Sequence, residues 1–222
     1  MFGYMPSEVP ELLKIDIKTV KEEKANMLSH AVGLLLFVIS IPFLIVYTYN
    51  TGVFEYFLGT IFYGISLIMV YTSSTLYHSS FKVDVRKRLR TFDHISIYFL
   101  IAGSYSPFLL THLQTTSGWT IFIILWSMVL IGSVSKLVFG HKFKLISTIA
   151  YLVMGWLAIF IIKPLYLELP SESFYWIFAG GMFYTIGAYF YMNEKMLYNH
   201  FIWHLFVLAG SIAHFVAVCY CL

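Results

Sequence analysis

His200 and His204 stand four residues apart, and on a helix that spacing puts both rings on one face, one turn from each other. Two imidazoles so placed can grip one metal ion. Ser74 and His78 repeat the spacing far upstream, and Asp93-His94 follows fifteen residues after His78. Three imidazoles suit zinc, and three protein ligands leave its fourth position open. Water beside such an ion is acidified to a pKa of about 7. Asp93 is then the candidate to orient or deprotonate that water, and Ser74 to hydrogen-bond it or a substrate oxyanion. An isolated HxxxH is a weak sign, because buried histidines more often just hydrogen-bond a neighbour. The assignment therefore depends on whether the fold brings His78 and Asp93 to the same place.

Composition sets the fold class. The chain has 222 residues, 59% hydrophobic and only 11% charged, where a soluble domain carries about 25% charged residues. Apolar runs lie near 29–49, 55–78, 92–112, 118–138, 144–163, 173–192 and 200–221. Each is about 20 residues long, enough for one helix to cross a bilayer. Transmembrane strands would be about half as long and would alternate in polarity. The sequence therefore predicts an all-α integral membrane protein, a bundle of seven transmembrane helices over 25–222. Residues 1–24 form a polar N-terminal segment, in which Glu11 to Lys18 mixes leucines and isoleucines with charges. A helix on the bilayer surface and a loose tail both fit that piece. The first 25 residues have no short apolar core or small-residue cleavage site, so the first span is expected to act as the insertion signal.

Charge gives the orientation. Of the fourteen basic residues, all but Lys163 fall before the first span or in the 2–3, 4–5 and 6–7 connections and their flanks. The positive-inside rule then places the N-terminus in the cytoplasm and, with seven spans, the C-terminus outside. Assigned from Lys and Arg alone, this topology brings His78, Asp93, His200 and His204 to one level at the cytoplasmic end. Glu23, Asn26, His30 and Gly33 share one helical face where the first span begins. His30 either supports the metal site from behind or bridges helices. His94 reads as a polar neighbour, His112 and His214 as outward non-ligands, and His141 as a loop residue. Gly103, Ser104, Ser106 and Pro107 are expected to interrupt the third helix. Gly180, Gly181 and Gly187 would let the sixth span approach a neighbour closely. Cys219 and Cys221 match no CxxC motif and read as apolar filler.

Three blocks also carry a family resemblance. They are Glu23-x-x-Asn26-x-x-Ser29-His30-x-x-Gly33; Ser74-x-x-x-His78 with Asp93 and Gly103-Ser104-Tyr105-Ser106-Pro107; and His200-Phe201-Ile202-Trp203-His204 with His214. Together they resemble the hemolysin III family, the bacterial branch of the progestin and adiponectin receptor proteins. The resemblance covers residues from about 20 to the end. It implies a multi-pass cell-membrane protein holding zinc through His78, His200 and His204, with Asp93 and Ser74 close by. The family is similar to alkaline ceramidases, which implies metal-assisted hydrolysis of a lipid amide or ester, with membrane lipids rather than nucleic acid as partners. Three other readings stay open. The first is cytolysis, from the family's hemolysin label, although a seven-helix protein makes a poor secreted toxin. The second is a receptor or membrane-homeostasis sensor with structural zinc, and the third a zinc transporter.

Overall fold

A computed structural model describes residues 17–140 and 142–222. The segment before residue 17, with most of its candidate surface helix, and His141 lie outside them. The described residues contain helices and no strand. The helices are α1 (Ile17–Asn50), α2 (Phe54–Ser79), α3 (Val83–Thr111), α4 (Thr116–Phe139), α5 (Lys144–Trp156), α6 (Ile162–Glu168), α7 (Ser171–Met192) and α8 (Asn199–Cys221). A 3-10 segment, Leu157–Ile161, joins α5 to α6 into one rod.

Five of these rods are long and apolar enough to cross a membrane: α1 from Val20, α2, α4, the α5–α6 rod and α8. Five such helices make the chain a multi-pass membrane protein. Helices α3 and α7 run 29 and 22 residues, long enough to span. Their sequences are less apolar: α3 opens on Val-Asp-Val-Arg-Lys-Arg-Leu-Arg, and α7 is rich in glycine, serine and tyrosine. Large apolar side chains on the rim, such as Phe43 and Val46 on α1 or Leu130 and Ile131 on α4, are mostly exposed. That is what a surface meeting lipid tails requires, because there is no water there to avoid.

One expectation is corrected. The third helix is not interrupted: α3 continues through Gly103 and Pro107 to Thr111. Hydroxyls take up backbone carbonyls along this stretch, with Ser106 Oγ donating to Ala102 (2.9 Å) and Thr111 Oγ1 to Pro107 (2.6 Å). The break falls instead in the fifth rod. Pro164 lies in the first turn of α6, where a missing N–H is tolerated, but its ring cannot coexist with an α-helical carbonyl at Phe160. The helix therefore tightens to 3-10 geometry just before it. Tyr105 of α3 satisfies the freed backbone groups. Its hydroxyl donates to the Gly155 carbonyl and accepts from the Ala158 N–H (3.0 Å).

Helix α2 packs between α1 and α3, α8 lies against α7 and α1, and the α5 rod touches α3, α4 and α7 more lightly. Buried Tyr63, Leu67 and Tyr71 of α2 meet Phe37 of α1 and Val218 of α8 at the centre. Glycine sets several of the close approaches. A Cβ on Gly59 would sit 2.8 Å from the Cα of Pro107, and one on Gly187 2.8 Å from the Trp203 ring. A Cβ on Gly180 would strike the His214 ring, whereas one on Gly181 would meet nothing within 4 Å. Of the three glycines expected to allow close approach of the sixth span, two do so.

Candidate metal centre

The last turn of α2 carries His78 and the first two turns of α8 carry His200 and His204. The chain enters α8 through Tyr198, whose backbone is left-handed (φ 57°). That conformation is rare and costly for a bulky residue, and here it aims the next residues back into the bundle. His78 and His204 are each 2% exposed. One nitrogen from each of the three imidazoles lies within 4.8 Å of the others, so the cluster can hold a metal ion. Among the described residues it is the one histidine, cysteine and carboxylate group of this kind.

The hydrogen bonds behind the rings fix which nitrogen faces inward. Nδ1 of His78 lies 2.7 Å from Oε2 of Glu23, and a carboxylate only accepts, so Nδ1 carries the hydrogen. Nδ1 of His204 donates in the same way to the Asn26 carbonyl (3.1 Å), with Ser29 Oγ also at 3.1 Å. Both rings therefore present a bare Nε2 lone pair, and support of this kind orients metal-binding histidines. Nε2 of His200 then comes within 3.2 Å of Nε2 of His78. Two bare lone pairs would repel at that distance, so the pair must share either a proton or a cation.

Helix α1 thus supports the site without supplying a ligand. Glu23 also binds Arg86 (2.6 Å), whose guanidinium donates to the Tyr77 and Ser80 carbonyls at the end of α2. Arg86 reads from sequence as a topology signal alone, and Glu23 as one charge on a helical face. The spacing of Glu23, Asn26 and Ser29, one turn apart each, was the available signal for a supporting role. His30 stacks on His204 with ring centroids 3.6 Å apart, and neither of its nitrogens has a hydrogen-bond partner among the described residues.

Ser74 and Asp93 are 1% and 7% exposed. The Ser74 hydroxyl faces the Asp93 carboxyl without closing a hydrogen bond within 3.5 Å. Asp93 stands outside the three-histidine group. His94 donates from Nδ1 to the Arg90 carbonyl (2.8 Å). His112 binds the Cys221 carbonyl (2.9 Å) and His214 the Ile177 carbonyl (3.1 Å), both toward the other end of the bundle.

Ser74, Asp93, His200 and His204 all line one cavity of about 380 Å³ that continues past Leu109 to Phe174. Its walls beyond the histidine end are largely apolar. Trp156, Ile159 and Phe178 both line it and are 40% or more exposed on the bundle's outside, so the cavity opens laterally between the fifth rod and α7. At the basic end of the bundle, Lys144 pairs with Glu194 and lies 4.4 Å over the Tyr191 ring. That pairing holds the Glu194 carboxyl below the usual carboxylate range.

The chain is similar in sequence to known proteins. A family model described as "Haemolysin-III related" matches residues 18–215. The "Hemolysin-3 homolog" of Bacillus subtilis (strain 168) is 44% identical over 200 residues, covering 90% of this chain and 94% of that protein. "Hemolysin-3" of Bacillus cereus is 42% identical over 199 residues, 90% of this chain and 91% of its own length. The human "Monocyte to macrophage differentiation factor" is 28% identical over 169 residues, 70% of this chain and 67% of that protein.

Proposed function

We propose that this chain, which belongs to the haemolysin-III-related family, is a zinc-dependent hydrolase acting on a lipid amide or ester. The supporting observation is the convergence of inward-facing imidazole nitrogens at the end of an apolar, laterally open cavity. Nε2 atoms 3.2 Å apart fit two ligands of one zinc ion, whose Zn–N bonds are about 2.0–2.1 Å. Imidazole donors with an open fourth position suit zinc better than magnesium or calcium, which take oxygen ligands. Zinc held there supplies Lewis acidity to a carbonyl and acidifies water.

The chain's own groups do the rest. The cavity walls take the acyl chain and exclude bulk water. Asp93 accepts the proton that water loses as it adds to the carbonyl carbon, and returns it to the departing amine or alcohol. The Ser74 hydroxyl, buried and without a hydrogen bond, donates to the oxygen that becomes negative in that addition. One water is consumed and a fatty acid is released with an amine or an alcohol. Seven spans, with the N-terminus and the site at the cytoplasmic side, are part of this reading, supported by the basic residues Lys21, Lys24 and Arg86 beside the histidine end.

The experiment is metal analysis and lipid turnover on the purified protein and on the His200→Ala/His204→Ala variant. One zinc per chain and released fatty acid are expected of the first, and neither of the second. Unchanged zinc in the variant would sink the site. Zinc without turnover of any lipid amide or ester would sink the hydrolase. The names of the Bacillus relatives favour lysis as a second reading; that activity would persist in the zinc-free variant.

A further inference from the structure

Three residues of the cavity wall have buried polar side-chain atoms with no hydrogen-bond partner among the described residues: His30, Ser74 and His214. The first two belong to the metal end. His214 does not. It lies ten residues beyond His204 on the same helix, about 15 Å further along the axis. That is about half the ~30 Å hydrocarbon core, the depth of one leaflet.

The surroundings define what His214 offers. Its Nε2 donates to the Ile177 carbonyl of α7 (3.1 Å). A carbonyl cannot donate, so Nε2 carries the hydrogen, and Nδ1 of the neutral ring is a bare acceptor. The ring is 9% exposed and rests in a cradle that exists because residue 180 is glycine; any Cβ there would overlap it. Neighbouring polar groups already have partners. The Tyr184 hydroxyl bonds Ser211 Oγ (2.9 Å), and Tyr63 donates to the Ser211 carbonyl (3.1 Å). Tyr105 and Thr185 bond backbone carbonyls. Nδ1 of His214, on a ring that lines the distal cavity, is therefore a buried acceptor with no partner among the described residues, and a buried acceptor left unpaired is unfavourable.

We propose that His214 is a second binding point in this cavity, accepting a hydrogen bond from a hydroxyl or amide N–H on the chain of the bound lipid. The preferred ligand is then a lipid with a donor about one leaflet's depth from the group held at the histidine cluster. This rests on the lipid-hydrolase reading for the identity of the occupant, but not on turnover.

The test compares binding of lauric and palmitic acids with their ω-hydroxy counterparts to the purified full-length protein in detergent, by calorimetry or thermal shift. At least one hydroxy acid should bind about five- to tenfold tighter than its parent, the worth of one net hydrogen bond. His214→Phe keeps a ring but no acceptor and should abolish that preference; His214→Gln, with an acceptor carbonyl, should keep part of it. Equal binding of every pair to the wild type overturns the proposal, as does a preference that survives in the Phe variant. A hydroxyl preference without any lipid turnover would leave this site standing and remove the hydrolase. Turnover without the preference would do the reverse.

Discussion

Nδ1 of His78 lies 2.7 Å from the carboxylate of Glu23, a residue 55 positions earlier on another helix. The contact sets the tautomer of one candidate ligand, and through Arg86 it also ties down the end of the helix that carries it. Replacing Glu23 by alanine is expected to weaken zinc binding about 10- to 100-fold, the usual cost of losing a supporting partner. Competition with a chromophoric chelator measures this. Unaltered affinity in a well-folded Glu23→Ala protein would show that the pair is irrelevant to metal.

Acid should release the metal. The cluster binds through unprotonated nitrogens, so protons compete, and affinity falls as pH falls and recovers as it rises. Dialysis of the loaded protein at graded pH, with zinc counted in the retentate, reads the effect. Zinc retained unchanged to strongly acid pH would mean that imidazoles do not hold it.

Glycine should matter by position and not by number. A Cβ at Gly59 would press on the Pro107 backbone, which cannot turn aside as a side chain can. Gly59→Ala is expected to destabilise the bundle by about 1–3 kcal/mol. Gly181→Ala, with open space around the added carbon, should leave the unfolding transition where it is. Unfolding in mixed micelles distinguishes the two; equal effects would contradict the α2–α3 contact described.

Tyr105→Phe removes the hydroxyl that serves the Gly155 carbonyl and the Ala158 N–H. Both groups sit at the helix break. The expected loss is about 1–2 kcal/mol, above the average of about 0.6 for hydrogen bonds in membrane bundles. Hydrogen exchange at residues 155–158 should quicken selectively.

The apolar runs made the helices legible, and the Lys and Arg asymmetry brought His78, Asp93, His200 and His204 to one level without coordinates. What stayed hidden depended on partners distant in sequence. The Lys163-Pro164 pair marks the break in the fifth rod, but it lies at the end of the apolar run, where a proline is ordinary. Pro107 looked like the breaker, yet Ser106 and Thr111 bond the carbonyls around it and α3 runs on. Glu23 and Arg86 looked like surface charge because nothing in their own neighbourhood places them behind His78. Gly180 and Gly181 are indistinguishable in sequence, and only the position of His214 separates them.

The Asn26 carbonyl that holds His204 lies 178 residues before it, and Ser29 lies 175 before. The site is thus closed between α1 and α8, the first and last helices among the described residues. While the chain is being threaded into the bilayer, His78 and Glu23 can meet early, but the other two imidazoles of the cluster arrive with α8. A metal held there would therefore report that α8 has joined α1 and α2. A chain truncated before α8 would lack His200 and His204 and could not assemble the cluster.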